Sequence, residues 1–193
     1  ETAKFSTAYF CIFVRFYKIH KTMNTISKTT GLTFGYILMA YYALVNLIVF
    51  FADYTLFVKS YLTIVNMVVV LILGICCVWI TKRRLNNLIT FKEGFTAFFI
   101  MIVLGFLANY IIQYILFNFV NPEAKIVNNE LMIEMTQKIG KDLNLSEAEI
   151  NDKISIVNNN ADDNFSLKTL FFSYAQTILG SSIAGLLIAL TFK

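Results

Sequence analysis

Residues 97–120 read AFFIMIVLGFLANYIIQYILFNFV, twenty-four positions without a formal charge. At ~1.5 Å rise per residue, a helix of this length covers ~36 Å, enough to cross a ~30 Å hydrocarbon core. The stretch decides the fold class because it has three counterparts. Gly31–Phe51, Tyr61–Ile80 and Leu170–Thr191 are also apolar and uncharged, while Lys, Arg, Asp and Glu fall almost wholly between the runs. The chain is 58% hydrophobic and 15% charged over 193 residues, more apolar surface than a soluble domain of this size can hide. The expected architecture is an all-α integral membrane protein with four transmembrane helices. An extracytoplasmic helical hairpin is inserted between helices 3 and 4.

The chain divides accordingly. Residues 1–30 are basic and aromatic, and 31–120 hold the first three helices at 31–51, 61–80 and 97–120. Residues 121–168 form an acidic insert, and 169–193 carry the fourth helix and a tail. Net charges are +4 for residues 1–30, zero for 52–60, +3 for 81–96, −4 for 121–168 and +1 at Lys193. The positive-inside rule puts both termini and the Lys82–Lys92 loop in the cytoplasm, and the insert outside. Tyr54, Phe57, Tyr61, Phe117, Phe119, Phe171, Phe172 and Tyr174 are expected in an outer aromatic belt, with Trp79 and Phe91 in an inner one. Lys82, Arg83 and Arg84 could bind phosphate, but they are also ordinary inner anchors.

Residues 1–22 admit three readings: an interfacial amphipathic helix, a signal peptide, or sequence upstream of a natural start at Met23. The single histidine, His20, lies there. The cysteines Cys11, Cys76 and Cys77 have no C-x-x-C spacing and are read as packing residues. No metal, cofactor or nucleic acid is expected, and no grouping of acids, bases or nucleophiles suggests an enzyme.

In the insert, Asn121-Pro122 opens a helix. Leu131, Met135 and Ile139 give it an apolar face, and Gly140 is its expected stop. Ser146-Glu147-Ala148-Glu149 is a capping box for a second helix whose face is Ile150, Ile154 and Val157. The helices are placed at about 122–139 and 147–157. Their six apolar residues are the candidate partner surface. Asp162-Asp163 matches no calcium loop and reads as a solvated turn.

Inside the spans the polar residues are amides. Asn46 and Asn66 each lie five residues from the outer ends of their spans. Gln113 lies seven from its outer end with Asn109 one turn deeper, and Gln176 sits at similar depth. An amide in lipid needs a partner, so matched depth suggests a shared layer that acts as interhelical glue or as a headgroup pocket. Small residues mark close helix approach: Gly31 and Gly35 in the first span, and Gly180, Ser181, Ala184 and Gly185 in the fourth. The rival contacts are between spans one and four, or between two copies of the chain.

Three places carry a family resemblance. Ile89-Thr90-Phe91-Lys92-Glu93-Gly94-Phe95 begins span three, and Phe119-Val120-Asn121-Pro122-Glu123 ends it. Leu145-Ser146-Glu147-Ala148-Glu149-Ile150 is then followed by a Gly/Ser-rich final helix and a terminal Lys. In this order they resemble domain-of-unknown-function family 4199, found chiefly in Bacteroidota, over residues 23–193. The resemblance implies four spans in the bacterial inner membrane and no assigned chemistry. The expected role is a membrane accessory or scaffold protein that contacts the lipid bilayer and binds another envelope membrane protein or a second copy. The alternative is a lipid- or polyprenyl-phosphate-binding helper in envelope glycosyl transfer or small-molecule transport.

Overall fold

The computed structural model describes residues 2–57, 60–159 and 164–193, with side chains at 25–57, 61–159 and 164–193. The side chains of Cys11 and His20, and the Asp162-Asp163 turn, therefore lie outside the described residues. Among the described residues six α-helices follow in order: α1 Thr2–Asp53, α2 Ser60–Arg84, α3 Phe91–Ile115, α4 Ala124–Asp142, α5 Glu147–Asn159 and α6 Leu167–Thr191. Among the described residues there is no strand. Among the described residues four stretches are long and apolar enough to cross a membrane: Thr25–Phe57, Tyr61–Arg84, Phe91–Val120 and Leu167–Thr191. Each contains one of the expected spans and extends it at one or both ends.

α3 is the hub. It packs along α1 and also touches α2 and α6. Phe98, Met101 and Ile102 on α3 are wholly buried, as are Leu38 on α1 and Cys77 and Val78 on α2. The α1–α3 seam is close because glycines line it. A Cβ at Gly31 would stand 2.6 Å from the Ala97 carbonyl oxygen, and one at Gly35 would stand 2.8 Å from Leu104 Cδ1. Gly105 on α3 returns the favour, lying directly under Leu38. The small residues of the first span thus serve α3, not the fourth span. The fourth span also docks on α3, where Gly185 lies against the Phe98 ring.

Caps define the two ends of the bundle. At the basic end, α2 stops in a Schellman arrangement. Asn87 N–H donates to Lys82 O at 3.0 Å and Asn86 N–H to Arg83 O at 3.2 Å, with both asparagines at positive φ. α3 then starts with a full capping box. Glu93 N–H donates to Thr90 Oγ1 at 3.3 Å, and Thr90 N–H donates to Glu93 Oε2 at 2.9 Å. Lys82 Nζ donates to Phe192 O at 2.9 Å, placing a cation at the negative end of α6. Arg83 stacks 4.0 Å over Trp79, and Arg84 Nη1 donates to Thr30 Oγ1 at 3.3 Å.

At the opposite end α3 loosens into a π-helical turn, Leu116–Val120, closed by Asn121 N–H donating to Leu116 O at 3.0 Å. Asn121 does not cap α4 with its side chain. The helix instead begins through a turn in which Asn121 O accepts from Ala124 N–H at 3.3 Å. Gly140 does not end it either. The stop is a second Schellman arrangement around Asn144 at φ 54°, with Leu145 N–H donating to Gly140 O at 2.9 Å. Gly140 serves close approach: a Cβ there would stand 2.6 Å from Ile150 Cγ1, and this is how α5 seats on α4. The Ser146 box is formed, with Ser146 N–H donating to Glu149 Oε2 at 2.9 Å. Ser146 also holds the Glu149 carboxyl below its ordinary pKa, chiefly by the side-chain hydrogen bond and then by the backbone one.

Candidate functional site

Three neighbourhoods gather the polar and small residues. The first is a knot of amides between α1 and α3. Asn46 is buried at 2% exposure and donates Nδ2 to Tyr42 O at 2.7 Å and to Asn109 Oδ1 at 2.8 Å. Gln113 donates Nε2 to Asn109 Oδ1 at 3.3 Å and to Asn46 Oδ1 at 3.4 Å. Asn109 and Gln113 are four apart on one helix, which puts both on the face that meets α1. The structure does not bring Asn66 or Gln176 into this knot. Asn66 Oδ1 accepts from Tyr41 Oη at 2.8 Å, and Gln176 is exposed on the outer side of α6. The register explains the latter: Thr177, not Gln176, turns inward and pairs with Tyr110 Oη at 2.8 Å. The facing direction of each amide was not readable from the sequence.

The second neighbourhood is a crevice of about 390 Å³ between α2 and α6. Thr63, Asn66 and Val70 form one wall, Thr177, Gly180, Ser181 and Ala184 the other, and Phe98 and Phe106 the floor. Near the basic end α2 and α6 are tied by the Lys82–Phe192 bond, so the crevice belongs to the part of the bundle toward the hairpin. Gly180 meets no atom within 4 Å of where its Cβ would be. Ser182 turns its hydroxyl back to Ile178 O at 2.7 Å, which satisfies it without a partner helix.

The third lies where the hairpin meets the bundle. Phe117 is fully buried, stacks on Phe165 with ring centroids 4.0 Å apart, and takes Phe50 and Phe57 edge-on at 5.4 and 5.3 Å. Phe57 and Phe117 therefore form a plug below α4 instead of a belt facing lipid. Asn118 clamps the plug. Its Nδ2 donates to Phe165 O at 2.9 Å, and its Oδ1 accepts from Lys125 Nζ at 2.6 Å. Asn164 Nδ2 donates to Asn129 Oδ1 at 3.1 Å, a second tie between α4 and the start of α6.

Above this plug is a cavity of about 410 Å³ lined by Phe57, Gln113, Asn128, Met132, Met135 and Phe165, with Thr136 and Ile139 at its side. Asn128 is 1% exposed. Its Nδ2 donates to Ala124 O at 2.8 Å, while its Oδ1 is buried and accepts no hydrogen bond from the chain. An unpaired buried acceptor costs ~1–3 kcal/mol, so its presence needs a reason.

The expected partner surface is thus distributed over different faces. Met135 and Ile139 line this cavity, and Ile150 is buried against Gly140. Leu131, Ile154 and Val157 are half-buried. Asn118, Asn128 and Asn129 escaped the sequence reading. The signal for Asn128 was its place on the Ala124-Leu131-Met135 face, a polar residue inside an apolar stripe. Among the described residues no group of three or more His, Cys, Asp or Glu gathers as metal ligands.

A family model matches residues 5–193. The chain belongs to the family described as protein of unknown function, DUF4199. The DUF4199 match begins well before Met23, so residues 5–22, which the resemblance had left outside, fall within it. No curated protein and no solved structure matches the chain. Membership in DUF4199 brings no assigned activity, so function must be argued from the three neighbourhoods.

Proposed function

We propose that this DUF4199 chain is a non-enzymatic accessory protein of the bacterial inner membrane that binds a transmembrane helix of another membrane protein along α6. Both termini lie in the cytoplasm, and the α4–α5 hairpin lies outside. The charge pattern supports this orientation, with +4 and +3 on one side against zero and −4 on the other. The family resemblance supports the inner membrane.

The observation that carries the binding reading is the open face at Gly180. Glycine, serine and alanine are concentrated where transmembrane helices approach closely, because small side chains let backbones come together. In this chain the other helix glycines are spent. Gly31, Gly35 and Gly105 close the α1–α3 seam, Gly74 and Gly185 hold Phe98, Gly94 meets Val78 and Ala189, and Gly140 seats Ile150. Gly180 alone among them meets nothing, and Ser181 and Ala184 extend its small surface along the crevice wall.

A photo-crosslinking residue at position 180, activated in native membranes, tests the reading. A covalent adduct with a different membrane protein is the expected product. An adduct with a second copy of the chain, or with lipid alone, would overturn it.

A further inference from the structure

Tyr42 reaches the floor of the α2–α6 crevice from α1, with its ring 5.9 Å from that of Phe106. The residue is 4% exposed. Its backbone carbonyl accepts from Asn46 Nδ2, but its hydroxyl makes no hydrogen bond within the chain. Among the described residues that are not exposed, the Asn128 Oδ1 is the one unbonded side-chain oxygen or nitrogen fully sealed from water. Nothing can reach that oxygen. The Tyr42 hydroxyl is the opposite case: it keeps a small accessible surface, and the crevice it lines is where that surface opens.

The other polar groups of the crevice have local answers. Asn66 is held by Tyr41, and Thr177 donates to Ser173 O at 2.8 Å. The hydroxyls of Thr63 and Ser181 lie close to their own backbone and can turn to a carbonyl of their own helix, as those of Thr177 and Ser182 do. A tyrosine hydroxyl cannot, because the rigid ring carries it away from its helix. Tyr42 lies near the middle of the Thr25–Phe57 stretch, at a depth where a bilayer offers no water. Its donor calls for an acceptor brought by whatever enters the crevice. No charged residue is in the lining, and a carboxylate at this depth is costly without a cation beside it. The acceptor is therefore neutral. Two asparagines of this chain show the form it takes. Asn46 and Asn118 each donate Nδ2 to the carbonyl four residues back, at 2.7 and 2.8 Å. Each then offers its Oδ1 to a donor from elsewhere in the fold, Gln113 Nε2 and Lys125 Nζ respectively.

We propose that the helix docking along α6 carries a carboxamide side chain at mid-membrane depth, and that this amide enters the crevice and accepts a hydrogen bond from the Tyr42 hydroxyl. The proposal rests on the docking of a partner helix at Gly180 and names the feature by which that helix is chosen. Small residues admit many helices, whereas one buried donor separates a helix with an amide at the right depth from a purely aliphatic one.

The test uses the full chain in phosphatidylcholine vesicles, with a photo-crosslinking residue at position 184 on the crevice wall. Two synthetic Leu/Ala helices of about 20 residues, long enough to span, are alike except for Asn or Leu at the centre. At low peptide-to-lipid ratio the Asn peptide is expected to be captured roughly tenfold more than its Leu twin, the worth of about one good hydrogen bond. Tyr42→Phe keeps the ring and removes only the hydroxyl. It is expected to bring capture of the Asn peptide down to the level of the Leu peptide and to leave the unfolding temperature unchanged. Equal capture of the two peptides by the wild-type chain would overturn the proposal, as would capture of neither, and this comparison needs no variant to fold. A preference that survives Tyr42→Phe would overturn it too. So would a lowered unfolding temperature in Tyr42→Phe, which would show the hydroxyl to be bonded within the chain. The docking reading itself is decided separately, by the adduct from position 180 in native membranes. That adduct with a membrane protein, together with no Asn preference here, would keep the docking and remove the amide.

Discussion

The α1–α3 seam and the α2–α6 crevice use the same kinds of residue to opposite ends. In the seam, Gly31 lies against the Ala97 backbone, Gly35 against Leu104 and Gly105 under Leu38. The amides beside them are bonded to one another, from Asn46 to Asn109 and Gln113. In the crevice, Gly180 meets nothing, and the facing polar groups are satisfied locally, Asn66 by Tyr41 and Thr177 by Tyr110 and the Ser173 carbonyl. One contact is complete within the chain and the other is open, the face proposed above to take a partner helix. Lipid tails supply no hydrophobic drive for helices to associate, so association rests on packing and hydrogen bonding. A small-residue face without a packed neighbour is where such an association would be made.

The sharpest way to break this contrast is to fill the seam. Gly31→Leu drives a side chain into the Ala97 carbonyl, which is backbone and cannot swing aside. A loss of ~3 kcal/mol is expected, at the upper end for overpacking, and seen as a large fall in unfolding temperature in detergent. Asn46→Leu is expected to cost less, ~1–2 kcal/mol. It removes the bonds to Asn109 and Gln113 but leaves those two able to pair with each other at 3.3 Å. Additivity of Asn46→Leu and Gln113→Leu in a double-mutant cycle would show that the knot is not a knot.

The contrast also marks what the sequence could disclose. Four long apolar helices were legible because a run of about 20 uncharged, apolar residues is the length a helix needs to cross a bilayer. The Ser146 capping box was legible because its partners are local. The Thr90–Glu93 box was equally local, yet it lay within a stretch read for family likeness and not for caps. What stayed hidden was direction around each helix. Asn46, Asn109 and Gln113 meet, while Gln176 at similar depth faces outward, and only the packing of α6 on α3 decides that. Gly140 and Gly31 show the same limit. Glycine signals either a helix end or a close approach, and the neighbour that distinguishes them, Ile150 or Ala97, is distant in the chain or on another helix.

Smaller effects are expected away from the seam. Ser146→Ala should cost ~1 kcal/mol, confined to α5, with amide exchange faster from Glu147 onward and the four long helices untouched. Acid should act in the same direction. Glu149 has a folded pKa below its ordinary value, so its contribution is whole above that ordinary value. It is lost as the pH falls through the lower, folded one. Exchange in α5 that is indifferent to pH across the acidic range would remove Glu149 from the cap.

The most direct test of the unused face is Gly180→Trp, read in two ways on one sample. The unfolding free energy is expected to stay within about 0.5 kcal/mol of wild type, because the indole enters open space. Partner crosslinking from the neighbouring position 184 is expected to disappear, because the ring fills the crevice that a second helix would enter. An unfolding temperature that drops as far as that of Gly31→Leu, or crosslinking that survives the tryptophan, would contradict the division into a completed seam and an open one.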